Sequence, residues 1–167
     1  MALLEPLSFE CTSNSDDQTQ RLGARLGALL PKHAVIALHG PMGAGKTSFA
    51  RGIGAGWGAD QMLRSPTFTL VQQHHRAQDD AILVHIDLYR AESSDALASL
   101  GLSEILDDEH SVTLIEWPEH AETLLPKDTI HIKLVVTSDT KRQFTFSTQD
   151  NAAWQVLLRF RKSAFGV

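Results

Sequence analysis

The residues Gly40-Pro41-Met42-Gly43-Ala44-Gly45-Lys46-Thr47 fit the pattern G-x-x-x-x-G-K-[ST] at every fixed position. They follow the apolar run Ala34-Val35-Ile36-Ala37-Leu38 and lead into a helical pattern. That strand-then-helix context reads as a phosphate-binding loop rather than a chance glycine-rich turn. Three glycines let the backbone turn tightly and bring N–H groups inward around phosphate oxygens. A helix starting near Lys46 adds its positive dipole end to the same anion. Gly43, Ala44, Gly45, Lys46, Thr47 and Ser48 are therefore the candidate nucleotide-binding residues. Lys46 can reach the terminal phosphates, and the Thr47 hydroxyl can ligate magnesium. A nucleoside triphosphate with Mg2+ is the expected ligand.

Two acids end apolar strands: Glu116 after Val112-Thr113-Leu114-Ile115, and Asp87 after Ile82-Leu83-Val84-His85-Ile86. In open α/β sheets ligands bind at the carboxyl ends of strands, so both acids are candidates for binding the metal or orienting the attacking water. Each could instead merely cap its strand. His85 and Asp87 share a strand face, which leaves a transition-metal pair open, although no third ligand follows at suitable spacing. Trp117 either faces the nucleotide or fills core. His74-His75 falls in a polar stretch and is expected in solvent.

The elements that must hold these residues are legible in outline. Ser15-Asp16-Asp17-Gln18 matches a capping box, and Leu22, Leu26 and Leu29 follow at helical spacing until Pro31. Gly23 and Gly27 predict close packing of that helix on a sheet. The helix after the loop buries Phe49, Ile53 and Trp57. Its glycines at 52, 54, 56 and 58 predict that it ends early and is loose until phosphates occupy its first turn. Ser65 to Val71 reads as extended, Gln72 to Asp80 as polar connection, and Ser94 to Leu106 as helix. Thr129 to Val136 and Gln143 to Ser147 read as an antiparallel strand pair, followed by a closing helix around Ala153 to Lys162. The expectation is a single α/β domain over residues 1–167. Its fold would be a P-loop NTPase-type three-layer sandwich, with a mostly parallel central sheet and an antiparallel strand addition.

Composition narrows the partners. The chain has 167 residues, 43% of them apolar, and a net charge of -5. That charge is unlike a protein that holds nucleic acid by its phosphates alone, so no DNA partner is expected and any tRNA contact should be indirect or local. One cysteine, Cys11, and no basic-then-apolar leader or apolar run of about 18 residues predict a cytoplasmic protein with no membrane partner.

The loop, Ser65-Pro66-Thr67-Phe68-Thr69-Leu70-Val71, His85-Ile86-Asp87-Leu88-Tyr89-Arg90 and Glu116-Trp117-Pro118 occur in this order. Together they resemble the bacterial TsaE family, the ATPase of tRNA threonylcarbamoyladenosine synthesis. The resemblance implies that Ser65 to Leu70 is a switch-like segment with Thr67 as its key residue. It also implies that Thr47 and Glu116 hold magnesium, that Asp87 acts at the metal or the water, and that Trp117 lies beside the site. Asp16 and Arg142 would approach the nucleotide, and Lys46, Asp87, Glu116 and Thr67 would form the catalytic set. The implied ligands are ATP and ADP with Mg2+. The implied partners are the tRNA threonylcarbamoyl transferase and its scaffold paralogue, of TsaD and TsaB type, with hydrolysis weak until they bind. Pro41-Met42 and Phe68 depart from the acid-leucine pair and the tyrosine common in the family.

A small-molecule kinase of shikimate-kinase type is the alternative, since the loop looks alike. No acidic pair for an acceptor hydroxyl follows between Lys46 and Gln78. A GTPase would need a guanine-reading motif, and Thr140-Lys141-Arg142-Gln143 lacks its aspartate. A module that holds ADP without turnover is a further alternative.

Overall fold

A computed structural model describes residues 6–65, 70–91 and 93–167. In chain order the elements are β1 (Leu7–Ser13), α1 (Asp16–Gly27), β2 (Val35–His39), α2 (Lys46–Trp57), β3 (Val71–His75) and β4 (Ile82–Asp87). They continue with α3 (Ser94–Leu100), α4 (Leu102–Asp107), β5 (Ser111–Glu116), a kinked 3-10 segment (Pro118–Leu124), β6 (Ile130–Val136), β7 (Arg142–Thr148) and α5 (Asn151–Phe165). One sheet orders them β1-β7-β6-β2-β5-β4-β3. The central strands β6, β2, β5 and β4 are parallel. The pairings toward both edges, β6 with β7, β7 with β1, and β4 with β3, are antiparallel.

Alternation along the strands divides the core in two. Ile36, Leu38, Leu83, Leu114, Ile132 and Phe146 face one side and pack with Leu26, Phe49, Ile53, Trp57, Leu157 and Phe160 from α1, α2 and α5. Val35, Val84, Ile86 and Ile115 face the other side, with Leu102 and Leu106 of α4 and Ala121 of the 3-10 segment. The result is helices, sheet, helices. Among the described residues, no helix is long and apolar enough to cross a membrane. Burial pushes the Cys11 thiol up to about 12, so it behaves as a packing group.

Five expectations change. The polar stretch after Val71 opens with an edge strand, β3, because β4 needs a partner for its outer backbone groups. His74 is therefore buried at 6% exposure rather than solvated. A strand, β1, precedes the first helix and was not anticipated. Helix Ser94 to Leu106 is two helices, broken where Gly101 adopts φ +66°.

The fifth change concerns the glycines. Gly23 and Gly27 pack against α2 rather than the sheet: a Cβ would lie 2.4 Å from the Phe49 carbonyl oxygen at Gly23 and 2.1 Å from that of Ile53 at Gly27. In return, Gly52 and Gly56 admit the Gln20 and Ala24 carbonyls, at 2.1 and 1.9 Å from a hypothetical Cβ. The backbones of α1 and α2 thus touch. The glycines that should have shortened α2 let it dock, and it runs twelve residues to Trp57, ending at Gly58 in the left-handed region. Replacing a helical glycine by alanine ordinarily gains about 1 kcal/mol. For Gly56→Ala we expect the opposite sign, a loss of about 1–3 kcal/mol in urea denaturation, because the helices must separate. A gain would show that they do not touch.

Candidate functional site

Strand β2 delivers the chain into the loop at Gly40, where φ is +147° and a Cβ would lie 2.7 Å from the Leu134 carbonyl oxygen. Gly43 and Gly45 follow at φ +80° and +101°, conformations that side chains disfavour. Gly45 is the N-cap of α2 and supplies no side-chain cap. Helices α1, α3 and α5 are each capped by a side chain, from Ser15, Ser93 and Asp150. The first-turn N–H donors of α2 are therefore left for another acceptor.

Lys46 is buried to 6% exposure. Its ammonium donates to the Gly40 carbonyl and, at 3.0 Å, to that of Pro41, and lies 4.2 Å from the centre of the Trp117 ring. Burial lowers its pKa, against the opposing pull of Glu116, Glu119 and Asp87. Arg142 ties the loop from the other side. Its Nε donates to the Ala44 carbonyl at 3.0 Å, and Nη1 reaches the carbonyls of Ser138 and Lys141 at 3.1 and 3.0 Å.

The sheet register sets the acids. Leu38 stands opposite Glu116, and Glu116 opposite Asp87, so both carboxylates end at the edge where the loop begins. Glu116 is 2% exposed, and its Oε2 lies 2.8 Å from Nε2 of the fully buried His85. His85 thus serves Glu116 and does not pair with Asp87 around a metal. Among the described residues, no group of three or more His, Cys, Asp or Glu could hold a metal ion. Two carboxylates with the Thr47 hydroxyl are a hard oxygen set, which suits magnesium completed by phosphate oxygens. Asp87 accepts the Tyr89 N–H at 2.9 Å, and its other oxygen lies 3.5 Å from the Ser65 hydroxyl.

At the far end, Asp16 accepts from the Ser48 hydroxyl at 2.5 Å and the Gln20 amide at 2.7 Å. The Ser48 bond, then Gln20, hold its carboxyl below the usual range, with Arg51 and Arg142 adding to the effect. Trp117 adopts φ +58°, unusual for a bulky residue, and its ring centre lies 5.0 Å from that of Tyr89 with the planes tilted by 50°.

A cleft of about 540 Å³ joins these groups. It brings together Asp16, Gly43, Ala44, Gly45, Lys46, Thr47, Ser48, Asp87, Glu116, Trp117 and Arg142. Thr67 lies outside the described residues. Met42, Ser65, Leu70, Tyr89 and Arg90 also line the cleft. Tyr89 and Arg90 could have been found from their position just beyond a strand-ending acid, where connecting turns face the ligand.

Behind the loop, His39 Nε2 lies 2.9 Å from His131 Nδ1, and its Nδ1 lies 3.5 Å from Glu119. Burial lowers the pKa of both imidazoles, and that of His74.

A family profile described as "Threonylcarbamoyl adenosine biosynthesis protein TsaE" matches residues 13–144. The tRNA threonylcarbamoyladenosine biosynthesis protein TsaE of Treponema pallidum is 36% identical over 137 residues, covering 82% of this chain and 98% of that one. The protein of the same name from Bacillus subtilis is 32% identical over 137 residues, covering 81% and 82%. The crystal structure of Bacillus subtilis YdiB superposes with a TM-score of 0.79 over 96% of this chain and 99% of that one, at 24% identity.

Two outcomes are expected from this geometry. His85→Ala strands a buried carboxylate, and a double-mutant cycle with Glu116→Gln should give a coupling of about 1–3 kcal/mol; additivity would show the pair is not formed. Histidines with lowered folded pKa values bind fewer protons folded than unfolded. Their stability contribution is present above the unfolded value of about 6.5 and lost as pH falls through the folded values. Tm should therefore fall between about pH 7 and pH 5. His131→Gln should flatten that dependence, and an unchanged slope would remove the His39–His131 pair as its source.

Proposed function

Because the chain belongs to the TsaE family, we propose that it works in tRNA threonylcarbamoyladenosine biosynthesis as a magnesium-dependent ATPase. The observation that carries the nucleotide reading is the uncapped start of α2 beside two strand-ending carboxylates. An uncapped helix start beneath a glycine turn suits an anion, and the acids beside it suit that anion's counter-cation.

On this reading Gly43 to Ser48 surround the phosphates. The Lys46 ammonium leaves the Gly40 and Pro41 carbonyls for the terminal phosphate oxygens. Thr47 and Glu116 would hold magnesium, with Asp87 either joining them or orienting water. The bound ion would supply charge neutralisation across the β- and γ-phosphates. His85 keeps the Glu116 carboxylate oriented. Asp16 and Arg142, beyond Ser48, flank the nucleoside end, and Trp117 walls the terminal end. Thr67 is proposed as the switch residue sensing the terminal phosphate.

The same reading makes the chain one functional domain in the cytoplasm. Its partners would be the threonylcarbamoyl transferase and its scaffold paralogue, and it would meet tRNA only through them. ATP hydrolysis would reset that complex between turnovers.

Phosphate release from Mg-ATP, by the chain alone and then with both partners, tests this. Low release that rises on adding the pair is expected, and Lys46→Ala should abolish it along with triphosphate binding. Wild-type turnover in the Lys46 variant would remove the loop from the mechanism. Release unaffected by the partners would point instead to a nucleotide-binding regulator or a kinase lacking its acceptor.

A further inference from the structure

Three cations line the cleft, and two are already engaged. Lys46 is held on loop carbonyls and the Trp117 face. Arg142 commits its Nε to the Ala44 carbonyl and its Nη1 to the β6–β7 turn. Arg90 differs: it is exposed, lines the cleft, and forms no hydrogen bond or ion pair among the described residues.

Its backbone, by contrast, is pinned. Leu88 N–H donates to the Glu116 carbonyl at 3.0 Å, Tyr89 N–H to the Asp87 carboxylate at 2.9 Å, and Ala91 N–H to the Leu88 carbonyl at 3.0 Å. The Tyr89 ring rests on Trp117. The turn that carries Arg90 is thus fixed to both strand-ending acids while its guanidinium has no partner among the described residues. A five-donor fork on a fixed base, three residues past Asp87, fits a group that engages charge only when charge arrives.

We propose that Arg90 is a catalytic residue acting in cis: its guanidinium meets the γ-phosphoryl oxygens and stabilises the charge that develops there during hydrolysis. This rests on the ATPase reading. In the step, a water oxygen forms a bond to the γ-phosphorus as the bond to the β,γ-bridging oxygen breaks. The electron pair stays on the bridging oxygen, now part of ADP, and the water's hydrogens leave on inorganic phosphate and as a released proton. Arg90 exchanges no proton; it binds the transferring group more tightly midway than at the start.

The test compares wild type, Arg90→Ala and Arg90→Lys in magnesium buffer, alone and with the partner pair. Affinity for ADP, affinity for ADP with aluminium fluoride, and single-turnover ATP hydrolysis are measured. Wild type should bind ADP more tightly when aluminium fluoride is present. Arg90→Ala should keep wild-type ADP affinity and Tm, lose that gain, and hydrolyse about 100-fold more slowly or worse. Arg90→Lys should recover little, because an ammonium lacks the planar fork. Wild-type hydrolysis and trapping in Arg90→Ala would overturn the proposal. So would a parallel loss of ADP affinity, or a wild-type chain that binds ADP yet gains nothing from aluminium fluoride in either setting. A wild-type chain that binds no nucleotide at all would overturn the ATPase reading itself, and this proposal with it.

Discussion

The register of three neighbouring strands is the constraint on which the rest depends. Because Leu38, Glu116 and Asp87 lie side by side, the loop and both acids end at one edge of the sheet. Side chains alternate faces, so a slip of one residue in β5 would exchange Glu116 for Ile115 on the α2 side and bury a carboxylate among Val84, Ile86 and Leu106. The apolar cores on both faces forbid that slip. Ordinary hydrophobic burial thereby fixes the position of a charged group that burial itself disfavours. His85, two residues before Asp87 and on the same face, relieves the remaining cost by hydrogen-bonding Glu116.

The contact between α1 and α2 extends the same economy of placement to the other end of the cleft. With no Cβ at Gly23, Gly27, Gly52 or Gly56, the two helices approach at backbone distance. That closeness brings Asp16, in the first turn of α1, within hydrogen-bond reach of Ser48 in the first turn of α2. A helix pair at ordinary side-chain separation, about 8–10 Å between axes, would leave this acid farther from the loop. These four glycines shape the site without lining it.

Much of this was legible in the sequence. The loop, the acids ending β4 and β5, and the Ser15 cap rest on local chemistry, and local chemistry survives folding. The Ser15 hydroxyl accepts the Gln18 N–H as the capping pattern implies, whereas the Gln18 side chain reaches one residue further back, to the Asn14 N–H rather than that of Ser15. What was not legible depended on distant partners. The pairing of His85 with Glu116 joins residues on different strands, so spacing along β4 suggested a metal pair instead. Strand β3 is polar in sequence because it is an edge. β1 does alternate, with Phe9 and Cys11 against the core and Ser8, Glu10 and Thr12 on the other face, but few of its residues are strongly apolar and it precedes a stronger helix signal. Gly23 and Gly27 announced a close approach, yet nothing local could say whether a sheet or a helix would make it.

The Arg142 tether sets a rule for the surface of the molecule. Hairpin tips are ordinarily where chains accept extra residues most readily. Here the tip between β6 and β7 wraps its carbonyls around the guanidinium that steadies Ala44. Lengthening that tip would shift the arginine and loosen the loop from outside. A segment that looks like dispensable surface is thus fixed in length by a site on the far side of its own side chain, and insertions or fusions belong elsewhere on the chain.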